Sequence, residues 1–221
     1  GYVLKLPKNV SSELAASIML KGLTVAYLIH DSFKVEAGHT VLFHAAAGGV
    51  GLIAGQWLNA LGATVIGTAG GADKCALAKA NGYHHVIDYK SADFEAEVMK
   101  LTDGKGVDVT YDSVGNDTMA RSLTSTRRHG TIIAFGQSSG PYLDFKITDL
   151  AKGSYKLSRP TLFHFAGERG WLEANAAKLF TAVTDGTVTI SINQKFALED
   201  VAKAHDALTG RDTTGCTILT V

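Results

Sequence analysis

Gly48, Gly49 and Gly51 fall between an apolar run of Val41, Leu42 and Phe43 and a helix-period pattern of Val50, Ile53, Ala54, Trp57, Leu58 and Leu61. Glycines at such a junction have a specific chemistry. In the fingerprint G-x-G-x-x-G the second glycine lets the backbone approach a pyrophosphate, and the third lets the helix pack closely on its strand. Gly48 and Gly51 take those two positions, with Ala46 at the first. The start of the helix adds free N–H groups and the positive end of its dipole, both suited to a phosphate. A tight turn in an α/β protein with no ligand is the plainer reading of the same residues.

A second cluster lies where the next strand would end, at Gly70, Gly71, Asp73 and Lys74. In NAD-selective folds an acidic residue about 20 residues past the glycine turn binds the adenosine ribose. Glycines occupy that tip here. A carboxylate would repel a 2′-phosphate, whereas Lys74 can neutralise one, so these residues favour NADP over NAD. Asp73 is the counter-evidence, either a displaced ribose acid or a first-turn helix residue. Two more polar loops, Asp112 with Ser113, Val114 and Gly115, and Gly136 with Gln137, Ser138 and Ser139, follow the apolar runs 107–111 and 131–135. Ligands of open parallel sheets sit beyond the carboxyl ends of strands, and small residues there allow close approach. A flexible turn accounts for the second of them, GQSSG, equally well.

Positioning such groups requires alternating strands and helices. Ser11 and Ser12 cap an apolar helix running to about residue 30, interrupted by Gly22. Strands are expected at 41–43, at Val65 and Ile66, and at 85–88, 107–111 and 131–135. Helices are expected at 74–81, stopped by Gly82, and at 93–101. A short helix at 147–151, a short strand at 155–157 and a helix at 171–183 follow. Strands near 187–192 and 216–221 then flank a helix at 199–208. The pattern predicts an α/β fold with a Rossmann-type doubly wound parallel sheet over 11–187. The strand at 217–221 finds no pairing partner elsewhere in the sequence. The chain opens on GYVLKLPK without methionine, as if cut from something longer.

Composition narrows the function classes. Lysine plus arginine and aspartate plus glutamate each number 21, and that balance argues against nucleic acid or an anionic membrane as main partner. Cys75 and Cys216 form no C-x-x-C pair and read as two small buried side chains in a reducing compartment. No apolar run approaches the roughly 20 residues needed to span a bilayer, and no signal peptide opens the chain, so a cytoplasmic location is expected.

The stretches MLKGLTVAYL, FHAAAGGVGLIAGQWLNALGATVIGT, VTYDSVGNDT, AFGQSSG, RPTLFHF and TTGCTILTV resemble the medium-chain dehydrogenase/reductase superfamily. Within it, they are similar to the NADPH-dependent quinone oxidoreductases related to zeta-crystallin. The resemblance covers the C-terminal two thirds of the family's polypeptide. It implies that 1–10 and 188–221 are remnants of an otherwise missing GroES-like catalytic domain. It also implies that Gly48, Gly49, Val50 and Gly51 hold the pyrophosphate, and that Gly70, Gly71, Lys74 and Tyr89 surround the adenosine and its 2′-phosphate. Val114, Gly136, Ser138 and Ser139 would line the nicotinamide ribose region, Leu162 and Phe163 would fix the carboxamide through backbone groups, and Thr24, Tyr27 and Thr214 would complete the cleft. Without the resemblance, Tyr27, Tyr89, Leu162 and Phe163 look like ordinary packing residues.

The zinc alcohol dehydrogenases of the same superfamily carry a cysteine ligand where this chain has Lys21, which cannot replace a thiolate. The eight histidines, His84 and His85 among them, form no metal-binding spacing. The resemblance therefore implies zinc-independent reduction of a quinone by NADPH, with no side chain assigned a catalytic role. An enoyl-thioester or alkenal reductase of the superfamily is the nearest alternative. An NADPH sensor without turnover and a structural crystallin-type protein are the alternatives of another class. For this chain alone, weak NADPH binding and little turnover are expected. A homodimer is expected through an edge strand at 155–159, beginning at Tyr155.

Overall fold

Six strands form one parallel sheet in the computed structural model, which describes residues 1–210 and 213–221. They are β1 (Thr40–Phe43), β2 (Thr64–Ala69), β3 (His85–Asp88), β4 (Val107–Asp112), β5 (Thr126–Ala134) and β6 (Lys156–Ser158). Their order is β3-β2-β1-β4-β5-β6, so the chain reverses direction across the sheet between β1 and β4. Val41, Leu42 and Phe43 are all buried because a parallel sheet is covered on both faces, which is why such strands read as continuous apolar runs. Alternation along the strand divides them. Phe43 faces one core with Ile18, Leu28, Trp57 and Leu179, and Leu42 faces another with Ile66, Phe94 and Val98.

The helices are α1 (Ser12–Tyr27), α2 (Gly49–Ala60), α3 (Ala72–Ala80), α4 (Phe94–Leu101), α5 (Met119–Ser125), α6 (Leu162–Ala166), α7 (Arg169–Thr184) and α8 (Val201–Thr209). Ser11 caps α1 by accepting from Leu14 N at 3.2 Å, and Asp93 caps α4 by accepting from Glu95 N and Ala96 N. Gly22 does not break α1. A Cβ there would lie 2.5 Å from a Leu179 methyl, so the glycine lets α1 approach α7. A π turn, Leu28–Ser32, extends the helix. The combined run Ser12–Ser32 is long and apolar enough to cross a membrane by length and composition, against the sequence expectation, and over half of its most apolar stretch is buried inside the protein.

Three other expectations are corrected. Helices α5 and α6 were not anticipated. The strand expected near 187–192 instead begins where that range ends, as β7 (Ile192–Ala197). Before it, Val188 N donates to Ala182 O at 2.8 Å, and Thr189 N donates to Gln56 Oε1 at 2.8 Å while Thr189 O accepts from Gln56 Nε2 at 3.0 Å. Those backbone groups are committed to a helix end and a side-chain amide, so no ladder forms there. Finally, β8 (Cys216–Thr220) does have a partner: it pairs in parallel with β7, Ile192 opposite Cys216 and Phe196 opposite Leu219, with α8 as the crossover.

Candidate functional site

The glycine turn is as tight as its sequence requires. Ala45 adopts φ 55°, Ala46 N donates to Thr68 O at 2.9 Å, and Gly48 N turns back to Ala45 O at 2.9 Å. A Cβ on Gly51 would lie 2.4 Å from Ala45 O and 2.6 Å from Ala46 O, both backbone atoms, so only glycine fits this geometry without movement. Gly49 and Val50 open α2 above that turn, where the first N–H groups of a helix have no acceptor within it. The Gly48 N–H is spent inside the turn, so α2 itself carries the donors an anion would meet.

A cleft of about 460 Å³ lies beyond the carboxyl ends of β1, β2 and β4. Of the residues expected to bind a dinucleotide, Gly48, Gly70, Lys74, Tyr89, Val114 and Ser138 line it. Lys74 is in the first turn of α3 and the Tyr89 ring covers Gly70, whose added Cβ would lie 2.6 Å from the phenolic oxygen. Gly71 holds φ 95° and donates its N–H to Asp88 Oδ1 at 2.9 Å. That bond and a second from Lys90 N hold the Asp88 carboxyl below the usual carboxylate range. Asp73 is an exposed first-turn residue of α3 and does not line the cleft.

The remaining expected residues stand outside the lining. Val50 and Gly51 lie beneath it in α2, and Gly49 faces Gly215 O and the Lys21 stem. Gly136 passes close under Ser113 O, and Ser139 Oγ donates to Val114 O at 2.7 Å while accepting from Asp117 N at 3.1 Å, so both shape the loops. Leu162 is buried in α6. Phe163 is exposed, and its carbonyl already accepts from Gly167 N at 3.1 Å. Thr24 Oγ1 donates to Leu20 O at 2.8 Å, and Thr214 Oγ1 accepts from Asn193 Nδ2 at 2.8 Å. Tyr27 stacks on Phe165 at 5.0 Å, and burial pushes its phenol up to about 12.

The cleft also contains residues that sequence reasoning missed. Arg121 of α5 pairs with Asp93, reaches Glu95 at 3.7 Å, and lies 4.1 Å above the Phe94 ring. Thr68 and Thr118 belong to the wall. Beneath them runs a buried polar network. Asp112 accepts from Val114 N, Gly115 N, Thr118 Oγ1 and Ser122 Oγ, the last at 2.6 Å. His44 Nε2 lies 3.0 Å from Ser122 Oγ, and its Nδ1 lies 2.9 Å from Thr68 Oγ1. The ends of β1, β2 and β4 are thereby tied together under the cleft floor.

Burial pushes the His44 imidazole below its ordinary value, opposed by Asp112 and reinforced by Arg121. The unfolded chain therefore takes up a proton more readily than the folded one. The neutral ring contributes fully above the unfolded value of about 6.5, and unfolding free energy falls as pH drops below it. Burial and Lys178 lower His30 in the same direction. We expect thermal melts between pH 7 and 5 to show this loss, and His44→Gln to lose less stability over the interval. An unchanged pH slope in the variant would rule out His44 as a source.

Among the described residues no group of three or more histidine, cysteine, aspartate or glutamate side chains is arranged to hold a metal ion. Cys75 is half-buried, unlike its expected reading, and Cys216 is buried against Lys21.

Residues 49–169 match the family model described as zinc-binding dehydrogenase. The chain is 44% identical to a quinone oxidoreductase of Pseudomonas aeruginosa, over 98% of this chain and 67% of that protein. It is 41% identical to a 2-haloacrylate reductase of a Burkholderia species, over 98% of this chain and 66% of the relative. The crystal structure of Escherichia coli quinone oxidoreductase complexed with NADPH superposes with a TM-score of 0.96 at 40% identity, covering 99% of this chain and 68% of that one. The chain thus spans about two thirds of the length of the curated relatives it matches.

Proposed function

The chain belongs to the quinone oxidoreductase family of the medium-chain dehydrogenases/reductases, and from that premise we propose that it is the cofactor-binding portion of an NADPH-dependent, zinc-independent quinone reductase. The observation that carries the reading is the continuity of one cleft from the glycine turn at Gly48 to Lys74 and Tyr89. Its volume of about 460 Å³ suits a small-molecule site, typically about 300 to 1,000 Å³. A helix start at one end and a lysine at the other match a dinucleotide's two phosphate regions.

In this reading α2 receives the pyrophosphate at Gly49, Val50 and Gly51. Lys74 neutralises the 2′-phosphate beside Gly70, Gly71 and Tyr89. Val114, Gly136, Ser138 and Ser139 position the nicotinamide ribose, while Leu162 and Phe163, with Thr24, Tyr27 and Thr214, form the far side. Bound NADPH supplies the hydride or electrons. The chain's own residues bind, orient and exclude water, so rate enhancement rests on proximity rather than on a side-chain acid or base. The buried hydroxyls and His44 fix the floor on which that orientation depends.

The 2-haloacrylate reductase among the relatives favours one second reading, reduction of an activated carbon–carbon double bond over the same cofactor site. Comparing a quinone with an α,β-unsaturated acid as acceptor separates the two. β6, last in the sheet order, supports pairing with a second copy along that edge.

Calorimetric titration with NADPH and NADH tests the cofactor assignment. NADPH should bind more tightly, and Lys74→Ala should weaken NADPH by about 10- to 100-fold, the loss of one charge-assisted contact, while leaving NADH nearly unchanged. Equal losses for the two cofactors would remove Lys74 from the 2′-phosphate.

A further inference from the structure

Lys21 of α1 and Cys216 of β8 are 195 positions apart in sequence, yet their side chains meet. Lys21 Nζ lies 2.8 Å from Cys216 Sγ. That is the spacing of an ordinary N–H···O bond, about 2.9 Å, although sulfur is the larger atom. Cys216 Sγ also lies 3.5 Å from Ser17 O and 3.6 Å from Thr217 O, and the residue is only 3% exposed. Beside the pair is a cavity of about 10 Å³ lined by Ser17, Lys21, Gly49 and Cys216 among others. It has room for about one water-sized molecule, enough to admit dioxygen or peroxide.

We propose that Lys21 and Cys216 form a reversible covalent cross-link in which a single oxygen atom joins the lysine nitrogen to the cysteine sulfur. Two single bonds of about 1.5 Å meeting at a bent oxygen nearly span the observed separation, so little movement is needed. With dioxygen as oxidant, one N–H and one S–H bond break, and N–O and O–S bonds form. Nitrogen and sulfur each give up two electrons. One oxygen atom enters the bridge and the other leaves as water with the two hydrogens. With hydrogen peroxide, two equivalents are consumed and three waters form. Two equivalents of a dithiol reductant, each oxidised to its disulfide and giving two electrons and two protons, return the amine and the thiol and release the bridging oxygen as water.

The bridge has a structural consequence at the cleft. The Lys21 stem crosses the start of α2, where a Cβ on Gly49 would lie 2.7 Å from Lys21 Cε. Oxidation therefore staples the two-stranded sheet to α1 directly beside the glycine turn. Closing so long a loop also restricts the unfolded chain.

Mass spectrometry of the 221-residue chain tests this after exposure to hydrogen peroxide, with and without dithiothreitol. Expected are linked peptides containing Lys21 and Cys216 with a gain of about 14 Da, one oxygen added and two hydrogens lost, that revert on reduction. Cys75→Ser should retain the link, and Lys21→Arg and Cys216→Ala should lose it. The oxidised protein should also melt at a higher temperature than the reduced one. Recovery of Cys216 as a free thiol, or as a sulfinic acid about 32 Da heavier beside an unmodified Lys21, would overturn the proposal. A linked product about 2 Da lighter, a direct sulfur–nitrogen bond, would overturn the oxygen bridge.

Discussion

Asp112→Ala is expected to cost about 3 to 5 kcal/mol of unfolding free energy, because several buried groups lose their acceptor at once. Asp112 is fully buried at the end of β4 and accepts from two backbone N–H groups, Val114 at 2.8 Å and Gly115 at 2.9 Å. It also accepts from the hydroxyls of Thr118 and Ser122. Alanine leaves all of these facing a small void, and the backbone donors cannot turn elsewhere. Asp112→Asn should cost less, about 1 to 2 kcal/mol, since one oxygen still accepts and a hydroxyl can rotate to receive the new N–H. Urea denaturation reads both. A loss under about 1 kcal/mol for the alanine variant would mean that water replaces the carboxylate. The loop from Ser113 to Thr118 forms part of the cleft wall, so NADPH affinity should fall with stability.

Gly51→Ala is expected to cost about 1 to 3 kcal/mol and at least tenfold in NADPH affinity. Its new Cβ would fall 2.4 Å from Ala45 O and 2.6 Å from Ala46 O. These are main-chain atoms of the turn itself, so the only relief is to push α2 away from β1, which moves the helix start that the pyrophosphate needs. Gly170→Ala in α7 is the control. Nothing lies within 4 Å of a Cβ there, and Gly170 sits in the first turn of α7, where the preference for alanine over glycine is smaller than the roughly 1 kcal/mol of a helix interior. Isothermal titration beside thermal melts separates the two effects. A Gly51→Ala protein that binds NADPH as the parent does would detach the glycine turn from cofactor binding.

Most of the central sheet was legible because burial on both faces turns strands into apolar runs, and because Gly82, at φ 91°, stops α3 as its sequence position indicated. The reading failed where periodicity had too little length to act. α5 spans seven residues and buries only Met119 and Leu123 as its apolar face, beside the polar Ser122 and Ser125, a stripe of one turn that is too short for a period to show, so the helix was invisible and Arg121 and Thr118 with it. His44 and Ser122 are polar residues whose role comes only from partners distant in sequence, Thr68 and Asp112, which no local pattern joins. At the C-terminal end, TVTISI is the more strand-like sequence, yet INQKFA forms β7 because the preceding backbone is already bonded to α7 and Gln56. The glycines and Lys74 were found from residue types, whereas Tyr89 was found only through the family resemblance.

The pairing of Gln56 with residue 189 has an evolutionary consequence. A primary amide carries the same donor and acceptor as a peptide group, so Gln56 grips the main chain of Thr189 as a neighbouring strand would, while its Nε2 also reaches Leu52 O and Asn81 Oδ1. The joint reads backbone rather than side-chain identity. Sequence drift at position 189 should therefore be cheap, costing at most the extra bond from the Thr189 hydroxyl. At position 56, even glutamate would forfeit the donor half of the clasp. One glutamine thus lets the C-terminal arm diversify without losing its attachment point.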